Sequence, residues 1–187
     1  MIIGVTGLIG SGKGAVAEIL VKKGFIKLGH SEVIDVELIG RGMTPGVRDN
    51  QIKIGNEMRE KYGAGYWARK LVESIEEGHN YVVEGFRNIG EIKEFRKRKD
   101  FILLGVAAGR NRRIEWITKR GRLRDPVNFE EFLEVEMRDF LQKEFYGQQN
   151  ALCFSASDRF VQNEGSLEEL KNQVERFLDE IVNHNNI

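Results

Sequence analysis

The chain has 187 residues, of which 41% are hydrophobic and 31% charged, with 21 glycines and only 2 prolines. Length and composition together describe one ordered globular domain and exclude a disordered or fibrous chain. Lys plus Arg and Asp plus Glu both number 29, so no net field exists to hold a polyanion, and no nucleic-acid partner is expected.

The first residues, MIIGVT (Met1–Thr6), form a short apolar run rich in β-branched side chains and closed by glycine, the pattern of a strand buried on both faces. From Lys13 to Lys23, Val16, Ile19, Leu20 and the stem of Lys23 recur at helical spacing, and Gly24 ends the helix. A short apolar segment follows at Phe25–Leu28. Residues 31–74 are helical in period but broken at Gly40, at Gly42 with Pro45, and at Gly63–Gly65, which predicts two or three helices over a sheet. Tyr81–Val83 reads as a strand running into Glu84 and Gly85. Phe101–Ala107 (FILLGVA) is a further apolar run, followed by a helical segment from Asn111 to Lys119. Strands alternating with helices imply a parallel α/β sheet.

Arg120–Pro126 (RGRLRDP) is a polar turn. The acidic, amphipathic stretch Asn128–Phe145 and the polar break Gly147–Asn150 then suggest a helical hairpin or flap. Phe160 and Val161 form a last short strand. Ser166 opens a final helix running to Asn183, and Glu169, three residues on, completes a capping box. Cys153 is the single cysteine and cannot form an internal disulfide. The first residues lack a basic stretch followed by a cleavable apolar one, and no apolar run approaches the ~20 residues of a membrane helix. A cytoplasmic protein with no membrane association is therefore expected, either a monomer or a homodimer.

Gly7-Leu8-Ile9-Gly10-Ser11-Gly12-Lys13 satisfies the first seven positions of the phosphate-binding loop and lies between a predicted strand and a helix start, the context such a loop requires. Its glycines let backbone N–H groups turn inward onto phosphate oxygens, the helix N-terminus adds positive potential, and Lys13 supplies a mobile cation. Gly14 stands where most such loops place a Ser or Thr hydroxyl on magnesium. The nucleotide-binding set expected here is Gly7, Ile9, Gly10, Ser11, Gly12, Lys13, Gly14 and Ala15, with ATP and Mg²⁺ as ligands.

GLIGSGKG resembles the GxPGxGKGT loop of adenylate kinases and their relatives, which also carry glycine at the eighth position; Ala15 departs from their threonine. YVVEGFR (Tyr81–Arg87) is similar to their DGFPR segment, and that resemblance implies that Glu84 meets the metal through water and that Arg87 grips the acceptor phosphate. Glu84 would end a buried strand at the edge where open α/β sheets bind ligands. In the family's GDxxR motif an arginine meets the acceptor. Here Ser31-Glu32-Val33-Ile34-Asp35 puts an acid in that place, leaving Arg41, Arg48 and Arg59 as alternative sources of charge.

Arg112, Arg113, Lys119, Arg120, Arg122 and Arg124 crowd one short stretch, and RRIEWITKRGRLRD is similar to the lid of these kinases, with Arg113 and Arg120 the best-matched phosphoryl ligands. Trp116 is either a base-stacking or a core aromatic. Asp158–Leu170 (DRFVQNEGSLEEL) resembles the last strand and turn of dephospho-CoA kinases, which implies Asn163 and Gly165 beside the adenine. His30, His79 and His184 are scattered, with no zinc-like spacing.

The resemblance implies a P-loop kinase fold: a five-stranded parallel sheet flanked by helices, with a core of residues 1–29, 79–119 and 156–187, substrate-binding helices at 30–78 and a lid at 120–150. It implies transfer of the γ-phosphoryl group of ATP to a small-molecule acceptor. A nucleoside or deoxynucleoside monophosphate ranks first and dephospho-CoA second. Gly14, Ala15 and Asp35 keep open a non-catalytic nucleotide-binding regulator.

Overall fold

The computed structural model describes residues 1–121 and 125–184. Five strands, β1 (Ile2–Thr6), β2 (Ile26–Gly29), β3 (Tyr81–Glu84), β4 (Phe101–Ala107) and β5 (Arg159–Gln162), form the expected parallel sheet in the order β2-β3-β1-β4-β5. β1 is central, with Gly4 in register with Val83 of β3 on one side and Leu103 of β4 on the other.

Successive strand residues face opposite layers, and both layers are covered. Ile3, Val5, Val82, Leu104 and Val106 pack against Val16, Ala17 and Leu20 of α1 (Lys13–Lys22) and Leu170, Val174 and Phe177 of α9 (Leu167–His184). On the other side Ile2, Tyr81, Val83 and Leu103 meet Ala68 and Leu71 of α4 (Tyr66–Glu73), Ile92 and Phe95 of α5 (Ile89–Phe95) and Cys153 of α8 (Asn150–Ser155). Burial on both sides explains why these strands read as continuous apolar runs. A third cluster, Ile34, Leu38, Ile54, Met58 and Trp67, holds α4 against α2 (His30–Gly40) and α3 (Arg48–Tyr62). No helix among the described residues is long and apolar enough to cross a membrane.

The 31–74 stretch resolves into three helices. α6 (Arg110–Arg120) brackets the predicted 111–119 segment, and the Ser166–Glu169 capping box is present, with Ser166 N–H donating to Glu169 at 2.8 Å and Glu169 N–H donating to Ser166 Oγ at 3.2 Å. Two helices were not anticipated. α5 has its own capping box on Asn88 and Glu91, and α8 begins inside the supposed polar break. The predicted 128–145 helix is shorter: α7 (Phe129–Phe140) stops where Leu141 turns extended.

The chain leaves β1 through α1 on one face and leaves β3 through α5 on the other. Adjacent strands whose connections part to opposite faces open a crevice at their carboxyl ends, where ligands bind in open α/β sheets. Residues after Thr6 and residues after Glu84 therefore face each other across one site.

Candidate active site

After β1 the backbone reverses through Gly10 at φ +77° and Gly12 at φ +97°, a region that L side chains rarely adopt. Space excludes a side chain there too: a Cβ on Gly10 would lie 2.9 Å from the Arg113 carbonyl oxygen, and one on Gly12 would collide with the Asn163 amide. The Asn163 Nδ2 donates to the Ser11 carbonyl at 3.0 Å, so the last strand's exit braces the loop. Gly12 precedes the first residue of α1, whose free N–H groups then face the crevice. The Lys13 ammonium donates to the carbonyls of Gly7 and Leu8, both at 2.8 Å. Burial, and then the nearby charge of Arg87, lower its pKa to about 7.

The crevice is a cleft of about 630 Å³. Gly10, Gly12, Lys13, Gly14 and Ala15 form its floor, Glu84 and Arg87 one wall, and Trp116, Arg120 and Asn163 another. Glu84 forms an ion pair with Lys27. Arg120 is clamped on Asp125, with Nε to Oδ2 at 2.7 Å and Nη2 to Oδ1 at 2.5 Å. Its neighbours Arg122 and Arg124 lie outside the described residues. No group of three or more His, Cys, Asp or Glu suited to a metal occurs among the described residues. A single carboxylate such as Glu84 fits an ion that takes its remaining oxygens from phosphates and water, as Mg²⁺ does.

Five expected site residues, Gly7, Ile9, Ser11, Arg113 and Gly165, do not line this cleft. Arg113 lies four residues before Ile117 and shares its buried face. It is 4% exposed, and donates to the carbonyls of Ala108 and Ile9 at 3.0 Å each and to Glu136 at 2.5 Å. It therefore supports the loop from beneath. Gly165 stands exposed in the turn before α9 and does not line the cleft. Gly7, Ile9 and Ser11 contribute backbone geometry below the floor.

A second pocket, about 110 Å³, adjoins the cleft and shares Ser31, Gly85 and Arg87 with it. Arg48 and Arg59 of α3 and His30 of α2 also line it, with Gln148 closing it. Asp35 is absent from its walls. Its carboxylate instead accepts from Gly46 N–H at 2.6 Å and Gln51 Nε2 at 2.9 Å, pinning the turn between α2 and α3. Arg41 pairs outward with Glu37 and Glu57. The charge missing from the GDxxR position is thus supplied one helix later.

Buried ion pairs fix this pocket. Glu91, fully buried, bonds to Arg59 Nε at 2.9 Å through one oxygen. Its other oxygen accepts from the backbone N–H groups of Arg87 at 2.7 Å and Asn88 at 3.1 Å. Burial acts to raise its pKa, but the Arg59 charge and the Arg87 N–H outweigh it and hold the carboxyl below its ordinary value. Arg48 pairs with the buried Asp139 of α7. Arg87 has no carboxylate within ion-pair distance among the described residues. The segment after α7 is bonded to this side of the site: Asn88 Nδ2 donates to the carbonyls of Phe145 and Gly147 at 2.8 Å each, and Gln149 N–H donates to the Arg87 carbonyl at 2.6 Å.

Residues 3–126 match the family model for an AAA domain, about two thirds of the chain. The UPF0200 protein of Methanocaldococcus jannaschii is 30% identical over 187 residues, covering 98% of this chain and 92% of that protein. TT1252 of Thermus thermophilus superposes with a TM-score of 0.62 at 20% identity over 96% of this chain and 97% of its own. A shikimate kinase of Acinetobacter baumannii in complex with shikimate superposes with a TM-score of 0.58 at 14% identity, covering 98% and 93%. The sheet order and the loop geometry are those of the P-loop kinase fold, and the chain belongs to the UPF0200 family.

Proposed function

We propose that this protein is an ATP-dependent phosphotransferase that moves the γ-phosphoryl group to a small anionic acceptor, with nucleoside and deoxynucleoside monophosphates as first candidates. The observation carrying this reading is Arg87, which lines both the phosphate-loop cleft and the arginine pocket. An acceptor whose anion enters the pocket lies against the nucleotide's terminal phosphate.

Transfer is in line. An acceptor oxygen bonds to the γ-phosphorus while the bond to the β–γ bridging oxygen breaks and ADP departs. The loop N–H groups and Lys13 hold the phosphates, Arg87 and Arg120 neutralise charge on the equatorial oxygens, and Asn163 and Trp116 face the base. Glu84 would hold Mg²⁺, which would supply further neutralisation of the phosphate charge. Arg113 acts through Ile9 by fixing the loop. Positioning and charge carry the rate, with no covalent help from side chains.

A small hydroxylated acid is a second acceptor class, favoured by the limited volume of the pocket, whose described lining holds no Phe, Tyr or Trp. ATP consumption with Mg²⁺ against nucleoside monophosphates, dephospho-CoA and small hydroxy acids, with Lys13→Ala as control, separates the classes by product. ATP binding with no acceptor phosphorylated would leave a regulatory nucleotide-binding protein.

A further inference from the structure

His30 begins α2 with its side chain 1% exposed and its ring tilted on Phe86 at a centroid distance of 4.8 Å. Nδ1 lies 2.8 Å from the Glu84 carbonyl oxygen. A carbonyl only accepts, so the proton resides on Nδ1. Burial lowers the pKa of the ring, which is therefore neutral, and Nε2 presents a lone pair. That nitrogen has no hydrogen-bond partner among the described residues, and the nearest carboxylate oxygen, on Glu91 at 4.0 Å, is itself an acceptor.

Two further orphans share the same pocket: Nε of Arg48 and the side-chain amide oxygen of Gln148. Buried polar atoms are almost always satisfied, and each exception calls for a reason. Three on the wall of one small cavity beside Arg87 point to a ligand that supplies their partners. A bare anion would satisfy Arg48 and Arg87 but repel the lone pair of His30.

We infer that the acceptor carries a hydroxyl or amino hydrogen close to its anionic group and donates it to Nε2 of His30. The inference rests on the arginine pocket being the acceptor site. His30 is then a specificity residue that selects a hydroxylated anion over its deoxygenated analogue, and the amide oxygen of Gln148 offers a second acceptor in the same pocket.

The test is calorimetric titration without ATP, using inorganic phosphate and two matched pairs: glycerol 3-phosphate against propyl phosphate, and adenosine monophosphate against its 2′,3′-dideoxy form. The wild-type protein is expected to prefer the hydroxylated member of at least one pair by about tenfold, the discrimination that one unpaired buried polar group imposes. His30→Asn keeps an amide N–H near the Nδ1 position for Glu84 but lacks Nε2, and is expected to reduce that preference to about one. No preference in either pair, or a preference that survives in His30→Asn, overturns the inference while leaving the anion site standing. Absence of phosphate binding by the wild-type protein overturns the anion site and the inference together.

Discussion

The buried carboxylate of Glu91 accepts the backbone N–H of Arg87 at 2.7 Å, so the arginine shared by the two cavities is held by a residue that lines neither of them and is closed off from solvent. Glu91→Gln keeps the shape but leaves Arg59 without its counter-charge in a site where both partners are at most 2% exposed. Removing one member of a buried pair costs about 3–5 kcal/mol. The urea midpoint of Glu91→Gln is therefore expected to fall by that equivalent, with a higher acceptor KM. An unchanged midpoint would mean that the pair carries no stability.

Arg113 is expected to behave as a loop support. Its guanidinium lies 5.4 Å over the Phe132 ring and bonds to Ile9 and Glu136. Arg113→Met removes these bonds and leaves Glu136 with Arg110 as its remaining ion-pair partner at 3.1 Å. Stability should fall by about 2–4 kcal/mol, and the ATP Kd should rise about tenfold as the Ile9 turn loosens. Turnover at saturating ATP should change far less. Intact stability with collapsed turnover would return Arg113 to the phosphoryl group.

The fold was legible because its three central strands, β1, β3 and β4, are buried on both faces and announce themselves as apolar runs, and because the loop motif fixes a strand before it and a helix after it. α5 was missed because seven residues carry too few turns for a periodic signal, although Asn88 and Glu91 spell a capping box. Within the arginine cluster Arg120 lines the cleft, whereas Arg113 turns inward. The cluster's members share one segment, but only the four-residue interval from Arg113 to Ile117 indicates that Arg113 faces inward. His30 of α2 meets Arg48 and Arg59 of α3 through tertiary packing, which no local spacing encodes.

Lys13 gives a pH signature. Its pKa is lowered from 10.5 to about 7 in the fold, so between these values the folded chain binds fewer protons than the unfolded chain. This group's contribution makes stability rise with pH across that window. Nucleotide phosphates favour the charged form, so ATP binding at pH 8 should take up a proton. Titrations in buffers of different ionisation enthalpy should show that uptake in the wild-type protein and none from this site in Lys13→Met. Equal uptake in both would place the proton elsewhere.

Gly14 is the residue where the loop departs from the commoner Ser or Thr, and a Cβ built on it meets no atom within 4 Å. It occupies the second position of α1 with an ordinary φ, so a side chain fits without strain. Gly14→Ala should gain about 0.5–1 kcal/mol, because glycine loses the most backbone freedom in a helix. Gly14→Ser should gain a little less and place a hydroxyl on the floor of the cleft, where it joins Glu84 in holding the hydrated ion. The Mg²⁺ concentration for half-maximal turnover should then fall in Gly14→Ser and stay unchanged in Gly14→Ala. Equal shifts in both variants would trace the effect to helix stability, and no shift in Gly14→Ser would mean that the ion lies beyond reach of this position.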